Sequence, residues 1–278
     1  MVIDTNDCPI AEFYDDKMDA LFMFFSNGKK EFWRFDKVKE MGINKCVLFF
    51  PREFKKLKNI VAKCELIYEF KSASSVSPVY LYDNKVLIAL CPLGGAASAN
   101  LMEELMFVGI KYFIGVGSCG AIVPVDFNSL FVAERAIRDE GTSYHYLPAS
   151  RYIESSKMLN KKLLAVLKKH KEPFNVGTVW TTDAIYRETP ARIMARIADG
   201  ATAVDMEGAT LCAVAKSKKA EYATLLYYSD YNNGKEWSTR RYNKYILREQ
   251  IINYAGWINR LNGVAEKVGS KIRYPIEY

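Results

Sequence analysis

Short, continuous runs of apolar residues recur along the chain, separated by longer segments with helical spacing of apolar positions. A continuous apolar run is typical of a strand that is buried on both faces of a sheet. Two runs within residues 78–91 are joined at Asp83-Asn84, which predicts a β-hairpin. The other predicted strands lie at residues 46–50, 112–122, 129–138, 176–185 and 222–230, the second of them running into a glycine-rich turn.

Helical spacing is clearest at residues 155–170, where a serine provides an N-terminal cap signal. Further helices are predicted at residues 94–110, 207–219 and 245–268. Because strands and helices alternate, we expect an α/β domain with a mostly parallel or mixed central sheet. No Pro/Gly-rich linker or internal repeat interrupts the chain. We therefore predict one domain over residues 1–278, with residues 1–40 as an N-terminal extension packed on it.

Composition narrows the class of protein. Half of the 278 residues are apolar, which suffices for a sizeable core, and the net charge of +7 comes from scattered lysines. This charge fits either an ordinary surface or anionic ligands, and no motif for nucleic-acid binding accompanies it. No apolar run reaches the ~18 residues of a membrane span, and no secretion signal is visible. We expect a cytoplasmic protein without a membrane partner.

Cysteine and histidine usage argues against two further classes of protein. The six cysteines form no C-x-x-C pair and several lie inside apolar runs, so buried thiols are expected rather than a disulfide framework. His145 and His170 are the only histidines, and a histidine-based metal site is therefore not expected.

Chemically interesting residues follow the predicted strands, where ligands bind in α/β sheets. The segment "GVGSCG" (115–120) reads either as a phosphate-cradling loop, in which successive amides bind an anion, or as a plain tight turn. In "VWTTDAIYRETP" (179–190), Trp180 and Tyr186 offer flat surfaces for a planar base, with polar edges at Arg187 and Glu188. The alternative is a core tryptophan and a solvated ion pair.

Carboxylates end two other predicted strands. Asp205 and Glu207 flank Met206 where a strand meets a helix. Either acid could simply cap that helix, because anions suit helix N-termini. Asp230 ends "YYSD" (227–230) and could be a general acid or a cap.

Together these segments resemble the nucleoside phosphorylase family, which includes uridine phosphorylase and hexameric purine nucleoside phosphorylase. The resemblance spans residues 46 to 265. "RDEGTSYHYLP" is similar to the uridine branch, whereas Asp230 is similar to the purine branch. The resemblance implies a three-layer α/β/α fold with a mixed sheet, cleavage of the N-glycosidic bond of a nucleoside, and a dimer or hexamer. The motifs that carry it are "GVGSCGAIVP", "RDEGTSYHYLP", "TTDAIYRETP", "VDMEGATLCAVA" and "YYSD", in this order.

The resemblance also implies roles for residues. Glu207 would bind the ribose hydroxyls with Met206 packed against sugar and base, and Asp230 would protonate or hydrogen-bond N7 of a purine. Ser118 would contact phosphate and ribose. The other predicted substrate contacts are Asp205, Trp180, Thr181, Tyr186, Arg187, Cys119 and Gly120, and the predicted phosphate contacts are Ser118, Gly117, Lys55 and Arg52.

Two departures from the family pattern concern phosphate. Gly115 stands where the phosphorylases carry an arginine, and "FFPREFKKL" (49–57) replaces a Gly-Asp-Pro-x-Arg loop, with Lys55 roughly at the arginine position. Arginine binds phosphate through a bidentate fork that lysine lacks. Phosphorolysis, with phosphate as co-substrate and no cofactor, is the first expectation. A hydrolase of the same fold and a non-catalytic nucleoside-binding protein are the alternatives.

Overall fold

A mixed β-sheet forms the centre of the protein in the computed structural model, which describes residues 35–72 and 75–238. Its strands appear where the sequence pattern predicted them, together with strands at residues 65–71, 152–154 and 237–238 that the pattern did not indicate. The strands of the described residues are β1 (Lys45–Phe49), β2 (Glu65–Lys71), β3 (Val76–Tyr82), β4 (Val86–Leu90), β5 (Tyr112–Ala121), β6 (Leu130–Asp139), β7 (Tyr152–Glu154), β8 (Phe174–Thr182), β9 (Ala201–Asp205), β10 (Glu221–Asn232) and β11 (Trp237–Ser238).

The sheet closes on itself around β5. This strand pairs in parallel with β1 and β10, and its last residues pair antiparallel with β9. From β10 the pairing continues through β6 and β8 back to β9, so five strands form a ring. The order β1-β4-β3-β2 extends outward from the ring as an open arm, and β7 pairs with β6.

Helices cover both faces of this sheet, as the three-layer prediction requires. Helices α4 and α7 pack together on one face, where Leu101 and Leu211 join the buried cluster around Phe113. Helix α5 covers the other face with Leu159 and Leu163. The helices are α1 (Phe35–Glu40), α2 (Pro51–Phe54), α3 (Lys58–Val61), α4 (Gly95–Phe107), α5 (Lys157–Lys169), α6 (Pro190–Ala198) and α7 (Gly208–Ser217).

The structure confirms the predicted hairpin turn and the predicted helix cap, both of which depend only on residues adjacent in the sequence. The hairpin turns at Asp83 and Asn84, whose φ angles of 49° and 51° suit the two central positions of a type I′ turn. Ser156 caps α5 by accepting a hydrogen bond from the Leu159 amide. Most of the predicted N-terminal extension and the helix predicted at 245–268 lie outside the described residues.

The predicted glycine-rich turn at residues 115–120 is wrong, because these residues continue strand β5. Their glycines serve packing rather than turning. A Cβ at Gly115 would lie 2.4 Å from the Tyr222 hydroxyl, and one at Gly117 would lie 2.5 Å from the Phe50 ring. Successive amides of a strand point to opposite edges, so the segment does not form the concave amide nest of a phosphate-cradling loop.

Candidate active site

The ends of four strands meet beside the ring. Gly120 of β5 pairs with Val204 of β9, and on the other side with Asp230 of β10. In the parallel pair of β8 and β9, Thr181 stands beside Asp205. The fold therefore brings together strand-end residues that are far apart in the sequence.

Glu207 lies between β9 and α7 and is only 6% exposed. Its Oε1 accepts a hydrogen bond of 2.6 Å from the amide of Gly94, the residue before α4. Gly94 has a φ of 89°, a conformation that favours glycine. Burial, and secondarily the charge of Asp205, raise the pKa of Glu207 to about 8, although amide hydrogen bonds from Gly94 and Met206 act in the opposite direction. The site thus holds a desolvated carboxyl group at the start of two helices.

Asp205 adopts the capping role that the sequence left open. Its Oδ2 accepts from the Gly208 amide at 3.0 Å, and its Oδ1 accepts from the Thr181 hydroxyl at 2.6 Å. The Thr181 oxygen in turn accepts from the Ala209 amide at 2.9 Å. Burial raises the pKa of Asp205 to about 7, against the effect of the Thr181 and Gly208 hydrogen bonds. Both side chains, predicted as substrate contacts, are bonded within the protein.

A third anchor of α7 comes from the segment after β6. Glu140 accepts through Oε2 from the Thr210 hydroxyl at 2.7 Å and from the Ser143 amide at 2.9 Å. A Cβ at Gly95 would lie 2.6 Å from the Thr210 hydroxyl, so α4 and α7 touch at this point. Glu140 lies within "RDEGTSYHYLP", to which the sequence analysis gave no residue role.

Asp230 is the third residue from the end of β10, next to an irregularity in the pairing with β5. Its Oδ1 accepts from the Ser229 hydroxyl at 2.5 Å, and its Oδ2 accepts from the Trp237 indole at 2.7 Å. A Cβ at Gly120 would lie 3.4 Å from that same Oδ2. The carboxylate is therefore held close to the backbone of β5.

Glu188 is the second acid on this side, and the sequence analysis named it only as a polar edge without a specific role. It accepts a hydrogen bond of 3.3 Å from the Asn232 side chain. Burial raises the pKa of Glu188 to about 7; the Asn232 hydrogen bond lowers it and the nearby charge of Asp230 raises it. In the sequence, Glu188 is the polar neighbour of Arg187 in "RETP". The sequence did not show that Glu188 is the partly buried residue of the two and Arg187 the exposed one.

The two aromatic residues predicted to stack on a base do not form a joint surface. Trp180 is fully buried and its indole donates to Asp139 Oδ2 at 2.9 Å. This is the core tryptophan that the sequence analysis gave as the alternative to base stacking. Tyr186 lies on the 3-10 turn Ile185–Arg187 and is 90% exposed. Arg187 is exposed as well. A base-stacking pair of Trp180 and Tyr186 is therefore not what the structure shows.

On the phosphate side, the side chains differ in burial. Ser118 is half-buried, whereas Arg52 and Lys55 are exposed after β1. Between them Glu53 is 1% exposed and accepts a hydrogen bond of 2.5 Å from the Tyr227 hydroxyl. Tyr227 stands opposite Ser118 in the β5–β10 pairing. A carboxylate of this segment is thus hydrogen-bonded to a side chain of β10.

The remaining predicted contacts divide between the site and the core. Met206 is half-buried beside Glu207, and Gly117 and Gly120 are buried in β5. Cys119 is 2% exposed and its thiol points to the Tyr227 carbonyl at 3.6 Å. Within residues 35–72 and 75–238 no cluster of three or more histidine, cysteine or acidic side chains has a metal-binding arrangement. In the same residues no helix is long and apolar enough to cross a membrane.

Comparisons with known proteins agree on the family. A guanosine phosphorylase of Halorubrum lacusprofundi is 25% identical over 169 residues, which cover 60% of this chain and 70% of that protein. A uridine phosphorylase of Thermococcus kodakarensis is 32% identical over 95 residues, or 34% of each chain. Both alignments leave part of the relative unmatched.

Solved structures share the fold at low identity. A futalosine hydrolase mutant of Helicobacter pylori superposes with a TM-score of 0.62 and 18% identity, over 81% of this chain and all of that one. The 5'-methylthioadenosine/S-adenosyl homocysteine nucleosidase of Campylobacter jejuni gives the same TM-score and identity, over 80% and 99% of the two chains. The model of the phosphorylase superfamily matches residues 46–252, most of the sequence, and the chain therefore belongs to that superfamily.

Proposed function

We propose that this protein cleaves the N-glycosidic bond of a nucleoside and releases the free base. The observation that carries the proposal is the placement of Glu207, whose carboxyl group is buried where β9, α4 and α7 meet. In a chain of the phosphorylase superfamily, a carboxylate fixed at this point suits the hydroxyls of a ribose. The names of the guanosine and uridine phosphorylases among its relatives support a nucleoside substrate.

Glu207 supplies the sugar side of the reaction. As the bond to the base breaks, the ribose gains positive charge, as in other glycosidic cleavages. An ionised carboxylate that accepts from the ribose hydroxyls stabilises that charge, and it does so strongly in a site that excludes water. The Gly94 amide donates to Oε1 at 2.6 Å, so this oxygen is held in position before the substrate arrives.

The base side of the proposal rests on Asp230, Glu188 and Asn232. We assign Asp230, in its protonated form, the role of donating a proton or a hydrogen bond to N7 of a purine, which would make the base a better leaving group. Glu188, bonded to Asn232, offers acceptor oxygens that suit the ring N–H and amino donors of guanine. These groups, with the name of the guanosine phosphorylase relative, support a purine nucleoside, and guanosine is the first substrate to test.

Phosphate is the proposed acceptor, supported by the phosphorylase relatives and by Ser118 beside the strand ends. A second candidate is hydrolysis, with water as acceptor, and one specific observation favours it. The Tyr222 hydroxyl fills the space that a side chain at position 115 needs, so the arginine of the phosphorylases does not fit there unless Tyr222 moves.

One assay tests the reaction and separates the two acceptors. Guanosine, inosine, adenosine and uridine are incubated with the enzyme in phosphate buffer and in phosphate-free buffer, with Glu207→Gln as the matched control. Phosphorolysis gives ribose 1-phosphate only when phosphate is present, whereas hydrolysis gives free ribose in both buffers. Nucleoside binding without base release in either buffer would contradict the proposal and indicate a binding protein.

A further inference from the structure

The first turn of α7 is tied to three different strand ends by three consecutive residues. The Gly208 amide donates to Asp205 at the end of β9, and the Ala209 amide donates to Thr181 at the end of β8. The next residue, Thr210, donates through its hydroxyl to Glu140 after β6. Helix N-termini normally carry several unpaired amides, and here the side chains of Asp205 and Thr181 satisfy two of them.

Thr181 is the central member of this arrangement. Its side chain is fully buried, and its hydroxyl donates to Asp205 Oδ1 while accepting from the Ala209 amide. One hydroxyl therefore joins β8, β9 and α7. A hydroxyl has a single proton to donate, and that proton is already used on Asp205, so no donor remains for a substrate.

Glu207 lies inside this anchored segment, immediately before the turn that Asp205 and Thr181 hold. Its own backbone starts α7, because its carbonyl accepts from the Leu211 amide at 2.9 Å. A shift of the first turn therefore moves the Glu207 carboxylate relative to the Gly94 amide. Displacements of about 1 Å at a reacting group are costly in enzymes, on the order of 10²-fold in rate.

We propose that Thr181 and Asp205 are positioning residues that act on the sugar through Glu207 and do not contact the substrate themselves. The inference rests on the proposed nucleoside cleavage. Thr181 sets the first turn of α7 through Ala209, and Asp205 sets it through Gly208. The pair thereby fixes the carboxylate of Glu207 toward the ribose hydroxyls.

Asp205 also affects Glu207 electrostatically, because it is one of several charged or titratable groups around that carboxyl group. Asp205 and Asp183 face Glu207 with like charge, the Cys91 thiol lies near it, and Glu140 faces Asp205. Replacing Asp205 by the neutral, equally sized asparagine removes the main opposing charge. The pKa of Glu207 then falls, and the pH at which activity reaches half of its maximum falls with it.

The test compares Thr181→Val, which removes the hydroxyl at constant volume, with Thr181→Ser, which keeps it. We expect Thr181→Val to lower kcat/KM for a ribonucleoside by about tenfold or more, and Thr181→Ser to stay within about threefold of wild type. The 2'-deoxyribonucleoside has one hydroxyl fewer for Glu207. We therefore expect Thr181→Val to reduce the preference for ribose over deoxyribose, as Glu207→Gln does.

A double-mutant cycle decides whether Thr181 acts through Glu207. If it does, the variant with both Thr181→Val and Glu207→Gln is no slower than Glu207→Gln alone. Multiplied losses in the double variant would overturn the proposal, because they indicate an independent contact with substrate. Wild-type activity in Thr181→Val would overturn it equally.

Amide hydrogen exchange keeps the inference separate from the proposed function. In the ligand-free protein, Thr181→Val should speed exchange of the Ala209 amide at least tenfold, whereas Thr181→Ser should not. If wild type cleaves no nucleoside but the exchange result holds, the proposed function fails and the anchoring stands. If Thr181→Val does not fold, Asp205→Asn replaces it, with faster exchange of the Gly208 amide and the lowered pH midpoint as readouts; an unchanged amide or midpoint would overturn the proposal.

Discussion

Glu207 has to be buried and yet carry a negative charge when the sugar develops positive charge. Burial alone would keep the carboxyl protonated. The amides of Gly94 and Met206 oppose this effect, so the group still ionises at a pH of about 8. At the scale of single residues, the protein therefore balances desolvation against two amide hydrogen bonds.

Replacing this carboxylate is the most direct residue-scale prediction. Glu207→Gln keeps the size of the side chain but loses a charge-assisted hydrogen bond to the ribose, worth ~2–3 kcal/mol. We expect kcat/KM to fall roughly 30- to 150-fold, measured as base release under steady-state conditions. An unchanged circular dichroism spectrum is the control for folding. Activity within about threefold of wild type would remove Glu207 from the sugar site.

Asp230 gives a prediction that depends on the base. Asp230→Asn should slow purine nucleoside cleavage by about 10²-fold or more, because the donor to N7 is lost. Uridine has no N7, so its cleavage should change far less. Initial rates with inosine, guanosine and uridine test this in parallel. If wild type cleaves uridine well and no purine nucleoside, Asp230 has another role, such as holding strand β11 through Trp237.

At the scale of elements, the positions of strands and helices can be predicted from local sequence patterns. Which distant residues pack against each element cannot be predicted in this way. The hairpin at Asp83-Asn84 and the Ser156 cap depend on adjacent residues and were predictable. Strand β5 was misjudged at Gly115 and Gly117, because glycines usually indicate turns. Glycine is needed at these two positions because the side chains of Tyr222 and Phe50 pack closely against them. Both residues are distant in the sequence, so the residues around the glycines do not reveal this contact.

The same limit applies to the candidate site. The sequence pointed to the acids around Met206 because they follow a strand. It did not distinguish Asp205, which caps a helix, from Glu207, which bonds to Gly94, since that difference is one of three-dimensional contacts. Trp180 was equally ambiguous, because a tryptophan at a strand end suits either a core or a ligand.

Strand β5 supplies a stability prediction. Gly115→Ala places a methyl group against the Tyr222 hydroxyl and should reduce the free energy of unfolding by ~1–3 kcal/mol through overpacking. Gly141→Ala is the matched control, because the nearest atom to its Cβ is at 3.7 Å, an ordinary contact. Thermal unfolding should show a lower Tm for Gly115→Ala than for Gly141→Ala. Equal Tm values would mean that Tyr222 moves aside without cost.

At the scale of the whole molecule, buried acids make stability depend on pH. The pKa of Asp205 rises from 3.8 to about 7 and that of Glu207 from 4.5 to about 8 on folding. Between pH 4 and 8 the folded state therefore binds more protons than the unfolded state, so the free energy of unfolding from these groups falls as pH rises. Urea unfolding at pH 5, 6, 7 and 8 measures this decrease in the free energy of unfolding.

The matched variant for this measurement carries Asp205→Asn and Glu207→Gln together. Neither replacement titrates, so the decline of stability with pH should be shallower than in wild type. If the free energy of unfolding of the variant declines with pH as steeply as that of wild type, other groups cause the pH dependence. Glu188 is one of them, because its pKa is also raised to about 7.

The ring of strands also constrains how the chain reaches its native state. Strand β5 is paired by β9 and β10, which are synthesised much later, and Glu207 meets Gly94 across 113 residues of chain. Contacts between such distant residues are slow to form, because the entropy of closing a long loop is lost before they stabilise the chain. A nascent chain that ends before β9 exposes both the edge of β5 and the apolar face meant for α7. We therefore expect this edge to be the aggregation-prone surface of an incomplete or partly folded chain, which connects the closed ring of the native state to the risk met on the way to it.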